Sequence, residues 1–312
     1  MRPRDSRVRL GNLSAPLVRL ALACALASAP VTGLAAGEVT DMLGRRVALP
    51  GRVTRVVSLA PSVTEIVYAL GAADLLVGVT DHCDYPKEAS KKPKIGGFYT
   101  PNFEMILTLR PDLILATSIE GGQAETFRGI EAFRVPVYVV RPVDVRAVLD
   151  SIERIGRLLG RAEDALRLSR GMQAEVDGIG RAVGGRRAPR VLYVLWGNPL
   201  VVPGRDTLIS DLIRLAGGES VSRGETAAYP RFSAEEAVAR RPEVIVLARQ
   251  GDATVDQRLR EWEHLTLLPA VRQGRVHQID GDLTHRPGPR VIESLRRLAR
   301  MFHPDVFPEA RR

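Results

Sequence analysis

The sequence predicts an α/β protein of two small lobes with a ligand cleft between them, joined by one long bridging helix. Two internal repeats and an alternation of short strands with helices carry that prediction. Asn102-Phe103-Glu104, an apolar helix pattern and Arg110-Pro111-Asp112-Leu113-Ile114-Leu115 recur as Ser233-Ala234-Glu235, a similar pattern and Arg241-Pro242-Glu243-Val244-Ile245-Val246. In both copies the glutamate stands seven residues before the proline. Thr64-Glu65-Ile66-Val67-Tyr68-Ala69-Leu70-Gly71 likewise resembles Ser210-Asp211-Leu212-Ile213-Arg214-Leu215-Ala216-Gly217. Strands alternating with helices on both sides of a strand-free stretch imply two parallel or mixed sheets covered by helices.

The elements follow in order. Residues 1–36 read as a secretory signal, with five arginines ahead of the apolar run Leu20–Ala29 and cleavage near Ala35 or Ala36. Residues 37–142 form the first lobe. It opens with a hairpin over 38–50 and continues with strands at 55–60, 75–79, 112–116 and 135–140. Ser62 or Thr64 is expected to cap the first helix and Gly71 to end it. Residues 143–183 lack a strand pattern, and Val148, Ile152, Ile155, Leu158 and Leu159 recur at helical spacing, giving the bridge, with Gly160 as its weak point. Gly184-Gly185 opens the second lobe, 184–312. Its strands fall at 190–197, 201–202, 244–248 and 276–280, and its helices at 207–216, from Ser233, and at 289–302.

Composition narrows the function. The chain has 312 residues and a formal charge of +9. Without residues 1–35, which hold five basic residues and one acidic, the charge falls to +5. With 5% aromatics and no nucleic-acid motif, no polyanion partner is expected. Cys24 lies inside the signal, so Cys83 is the only thiol left and no internal disulfide can form. No second long apolar segment exists, so the exported chain is not expected to span a membrane. A soluble monomer is expected, with a lipid anchor at Cys24, after the loosely lipoprotein-like Ala21-Leu22-Ala23, as the alternative. Its membrane contact would be indirect, through a protein partner.

In parallel α/β lobes, ligands gather beyond the carboxyl ends of strands. The loops there carry Asp81, His82 and Tyr85; Phe98 and Tyr99; Trp196 and Asn198; Tyr229; and Asp282, His285 and Arg286. Five aromatics on these loops of an aromatic-poor chain suit a flat, apolar ligand, with one arginine to meet an acidic group. Packing of the same side chains in the core or at its rim is the competing reading.

The order Ser58-Leu59-Ala60-Pro61-Ser62-Val63-Thr64-Glu65, Asp84-Tyr85-Pro86, Asn102-Phe103-Glu104 and Arg110-Pro111-Asp112 resembles the periplasmic vitamin B12-binding proteins of ABC importers. It also resembles the wider helical-backbone class that serves siderophores and haem. The resemblance covers about Arg55 to Phe302. It puts His82 where that family has a pocket tyrosine, and Phe98, Trp196 and Tyr229 where it has tryptophan, phenylalanine and tryptophan. Arg286 matches an arginine on the pocket rim. It implies a ligand-binding set of His82, Tyr85, Phe98, Tyr99, Trp196, Tyr229 and Arg286, with cobalamin or a related corrinoid as transported cargo and no resident cofactor. His82 is the candidate axial ligand to the metal of a bound corrinoid or haem. The alternative cargo is haem or a ferric siderophore. The implied partners are a membrane permease and its ATPase, and the implied location is the periplasm.

Glu104 and Glu235 sit in first helical turns, where a carboxylate gains about 0.3–1 kcal/mol from the helix dipole. Glu236 holds the capping-box position after Ser233, and Met105 the equivalent place after Asn102, so reciprocal capping explains neither Glu235 nor Glu104. The resemblance assigns both to docking on the permease, one per lobe. A metal-dependent hydrolase built on Asp81, His82, Asp84, Asp280, Asp282 and His285 is the reading from another class. It lacks any tight ligand spacing, and the chain has neither a nucleophile elbow nor a phosphate loop. No enzymatic activity is expected.

Overall fold

A computed structural model describes residues 37–118, 129, 134–197, 199–249, 262 and 266–308. Residues 1–36, read as a secretory signal, and Asn198 lie outside these residues. The expected hairpin at the start is present as antiparallel β1 (Glu38–Thr40) and β2 (Arg46–Ala48), with Gly44 in the left-handed region at its turn.

The first lobe is a four-stranded sheet of β3 (Val56–Ser58), β4 (Leu76–Val79), β5 (Leu113–Thr117) and β6 (Val137–Val140). Helices α1 (Pro61–Ala69) and α2 (Phe103–Thr108) connect them. The strands run parallel in the order β4-β3-β5-β6. Their near-continuous apolar runs are buried, as a sheet covered on both faces requires.

The bridge is the main departure from expectation. Residues 143–183 form two helices, α3 (Val145–Leu158) and α4 (Ala162–Val183). Gly160, at φ +67°, breaks the ladder between them. Helix α4 then runs back along α3. Glu153 accepts a hydrogen bond from the Ser169 hydroxyl at 2.7 Å, and a Cβ on Gly156 would lie 2.3 Å from that of Ala165. A 3.6-residue apolar period is kept on each limb of such a hairpin, so periodicity does not register the reversal. Helix α3 packs on α1 of the first lobe and also on a helix of the second.

The second lobe repeats the first. Strands β7 (Arg190–Val194), β9 (Glu219–Ser220), β11 (Val244–Arg249) and β12 (Val276–Asp280) are parallel in the order β9-β7-β11-β12. In each lobe the second strand is at one edge and the fourth at the other. A small antiparallel pair, β8 (Leu200–Val201) with β10 (Arg231–Phe232), is added. The helices are α5 (Leu208–Leu215), α6 (Ala234–Ala239), α7 (Pro269–Arg272), α8 (Gly281–His285) and α9 (Val291–Phe302).

The repeated phrase is a joint between helix and strand. Arg110 and Arg241 both take φ +47°, ending α2 and α6 just before a proline. The acid that follows ties down the first strand of its lobe. Asp112 accepts from the Thr54 and Arg55 amides at 2.8 and 3.0 Å, and Glu243 accepts from the Arg190 amide at 2.9 Å. In return, Arg55 donates to Leu109 O at 2.6 Å and Arg190 donates to Arg240 O, satisfying carbonyls at the ends of α2 and α6. The strained left-handed arginines are thus held from both sides.

The helix starts agree with expectation at Asn102, Thr207 and Ser233, each of which accepts a bond from the amide three residues on. Helix α1 differs. Pro61 occupies its first turn and Ala60 precedes it, so neither Ser62 nor Thr64 caps it. The Thr64 hydroxyl lies 2.9 Å from Ser58 Oγ, inside the core.

Candidate functional site

A cavity of about 510 Å³ lies where the lobes face each other. The first lobe contributes Tyr99, the entry to α3 contributes Val143, and the second lobe contributes Thr207 and Leu208 at the start of α5, Tyr229, and His285 at the end of α8. Among the described residues its wall carries one carboxylate, Asp206, and no lysine or arginine. Such a wall suits a bulky, largely apolar guest with few or no acidic groups.

The expected aromatics divide. Tyr99, 71% exposed, and Tyr229 line the cavity. Phe98 stands behind Tyr99, edge to face at 4.8 Å between ring centroids, and packs on the core. Trp196 is half exposed at the end of β7 and stays outside the wall, which its neighbour Leu195 joins. His82 is exposed and also outside the wall. Tyr85 carries the Arg290 guanidinium over its ring at 4.1 Å.

Arg286 is engaged by carboxylates from both lobes. It pairs with Asp84 at 2.5 Å and Asp282 at 2.7 Å, and stands 3.8 Å from Glu65. Burial would raise the Asp84 carboxyl, but Arg286 outweighs it and holds Asp84 below the usual range. Arg290 completes the cluster with a two-pronged pair to Glu65, at 2.8 and 2.6 Å. Glu65 is only 2% exposed, and burial pushes its carboxyl up against the pull of Arg290 and Arg286. The α1 acid of the first lobe therefore reaches the start of α9 in the second. Its repeat counterpart Asp211, on α5, reaches the start of α3 by accepting from the Val145 amide at 3.0 Å.

His285 was named in the sequence as one of several loop residues and in the hydrolase set, not among the ligand-binding residues, yet it lines the cavity. Its Nε2 lies 3.3 Å from Tyr193 Oη, which is 2.6 Å from Thr284 Oγ1. Burial pushes the imidazole down to about 4, so it is neutral at pH 7. Asp206 and Val143 went unnoticed in the sequence, and Thr207 was read only as a helix start. The N-cap at Thr207 was the available signal, because a helix start at a strand's carboxyl end faces the cleft.

Three of the four acids named for a hydrolase are occupied elsewhere. Asp84 and Asp282 hold Arg286, and Asp280 caps α8 through the Asp282 amide at 3.0 Å. Among the described residues no group of three His, Cys, Asp or Glu is placed to hold a metal ion.

Glu104 and Glu235 are exposed, one on each lobe, in the first turns of α2 and α6. The capping box expected of Glu236 is not what it makes. Its carboxylate accepts from Arg240 at 2.7 Å, one turn on. Glu235 is held below the usual range by its own amide and by the Ser233 hydroxyl, so it remains a charged group at the surface.

Two parallel α/β lobes joined through helices, with an aromatic-walled cavity between them, define a bilobal solute receptor. The family described as periplasmic binding protein matches residues 56–283, and the chain belongs to it. A vitamin B12-binding protein of Vibrio parahaemolyticus is 29% identical over 243 residues, 78% of this chain and 87% of that one. The ABC transporter substrate-binding lipoprotein YvrC of Bacillus subtilis is 29% identical over 277 residues, 87% of each. Among solved structures, the periplasmic heme-binding protein RhuT of Roseiflexus sp. RS-1 is 28% identical with a TM-score of 0.71, over 81% of this chain and 99% of that one. The vitamin B12-binding protein BtuF of Vibrio cholerae, at 24% identity and a TM-score of 0.72 over 82% and 99%, shares the fold. The chain is thus a periplasmic binding protein of the ABC-transporter type, a class that works with a permease and an ATPase. No described helix is long and apolar enough to cross a membrane.

Proposed function

We propose that this chain captures a corrinoid, cobalamin or cobinamide, outside the cytoplasm and delivers it to an ABC permease without chemically altering it. The observation that carries this reading is the cavity wall, where Tyr99 and Tyr229 stand among apolar side chains with no lysine or arginine among the described residues. An anionic ferric siderophore or a haem with two propionates calls for cationic partners. Corrinoids have amide side chains instead. Vitamin B12-binding relatives support the reading, and heme-binding neighbours make haem the second one, favoured here by the neutral imidazole of His285.

Purified protein titrated with cyanocobalamin, dicyanocobinamide, haemin and a ferric siderophore is expected to bind the two corrinoids at least about tenfold more tightly than the others, a difference of about 1.4 kcal/mol. Calorimetry measures this directly. Preference for haemin would replace the corrinoid reading, and turnover of any of them would make the chain an enzyme.

Glu104 and Glu235 serve as the docking contacts on the permease, one per lobe. The double variant Glu104→Ala, Glu235→Ala is expected to keep its ligand affinity while uptake into vesicles holding the permease and ATPase falls by about tenfold or more, as for the loss of charged interface pairs. Loss of ligand binding with normal uptake at saturating ligand would reverse the assignment.

A further inference from the structure

We infer that His285 is the residue that takes the central metal of the cargo, its Nδ1 lone pair replacing an exchangeable axial water. The inference rests on the corrinoid reading above and adds a coordinating atom to it. The argument follows the hydrogens. Only the Thr284 hydroxyl hydrogen can make the 3.2 Å contact with Gly281 O, and for both of its contacts to be bonds its oxygen accepts from Tyr193 at 2.6 Å. Tyr193 has then spent its only hydrogen, and its oxygen can only accept from His285 Nε2–H at 3.3 Å. With all three contacts made as bonds, the proton sits on Nε2 and Nδ1 keeps a bare lone pair.

Among the described residues no other hydrogen bond reaches that ring, and Asp280 acts on it through its charge. Tyr193 is 1% exposed and its ring meets the imidazole edge-on at 6.3 Å, so one side of the histidine is fixed in the core while the residue itself lines the cavity. A histidine that donates one ring N–H to an oriented oxygen and keeps the other nitrogen bare has the arrangement of a metal-bound imidazole and its supporting partner. Burial also keeps the ring neutral, as ligation requires. His82, exposed and outside the wall, has none of these supports.

The step is a ligand exchange. The metal–oxygen bond to water breaks, a metal–nitrogen bond forms with the Nδ1 electron pair, water leaves, and no electron changes centre. Cargo with a free or water-filled axial position would gain affinity, and cargo whose axial positions carry tightly held groups would not.

Two probes separate this inference from the function it rests on. Aquocobalamin has an exchangeable water; cyanocobalamin does not. Wild-type protein is expected to bind both, shifting the visible bands of aquocobalamin alone toward those of a cobalt with nitrogen in place of its axial water. His285→Ala is expected to abolish the shift and to weaken aquocobalamin at least tenfold more than it weakens cyanocobalamin. His285→Gln, which keeps an N–H for Tyr193, is expected to do the same if the alanine variant does not fold. His82→Ala is expected to keep the shift. A shift that survives both His285 variants, or wild-type binding of aquocobalamin without a shift, overturns the assignment and leaves the receptor a corrinoid binder. Failure to bind cyanocobalamin at all overturns the corrinoid reading, and the assignment with it.

Discussion

Replacing Glu65 with alanine is expected to lower the unfolding free energy by about 3–5 kcal/mol, the usual loss when one partner of a buried ion pair is removed. Urea denaturation at pH 7 measures it, and Tm should fall by roughly 10 °C. The size follows from burial. Glu65 is 2% exposed, with Arg290 at 16% and Arg286 at 14%, so the arginines it leaves behind cannot rehydrate without opening the contact between lobes. Asp84 and Asp282 still hold Arg286, so Arg290 is the charge left without its partner. The pair Glu65→Leu with Arg290→Met should recover most of the loss, since matched apolar side chains replace buried ion pairs without penalty. A loss under about 1 kcal/mol would place Glu65 among surface bridges screened by water. The same substitution should loosen one lobe against the other, because Glu65 belongs to the first and Arg290 to the second.

Gly204→Ala is expected to be damaging at a position where the backbone angle is not the obstacle. A Cβ there would lie 1.9 Å from Ala227 O and 3.2 Å from Ala228 O, while the Gly204 amide already donates to Ala228 O at 2.7 Å. Both neighbours are backbone, so a whole segment must move, at a cost of about 1–3 kcal/mol. That segment leads into Tyr229 of the cavity wall. Ligand affinity should therefore fall together with stability. Gly224→Ala, where a Cβ meets nothing within 4 Å, is the control and should leave both unchanged. Retained affinity in Gly204→Ala would show that Tyr229 contributes little to binding.

Much of the fold was legible because its signals are local. The caps at Asn102, Thr207 and Ser233, the left-handed glycines 71 and 217, and the short β-branched runs are chemistry of neighbouring residues. The Arg-Pro-acid repeat was equally visible, though its meaning was not. The bonds from Asp112 to Thr54 and Arg55, and from Glu243 to Arg190, span more than fifty residues and leave no spacing in the sequence. Of the loop aromatics named from the sequence, Tyr99 and Tyr229 stand on the cavity wall.

The sequence by itself determined two like lobes, their strand positions and the loops that meet at the cleft, because backbone preference and apolar period are properties of short stretches. Tertiary structure decided the rest. It turned one expected helix into the antiparallel pair α3 and α4, since a period of 3.6 carries no direction past Gly160. It spent Arg286 on acids of both lobes, and it set His285, one residue away, into the cavity wall. Adjacent side chains at a helix end point to different surroundings, and only the packed lobes determine which of them meets the ligand.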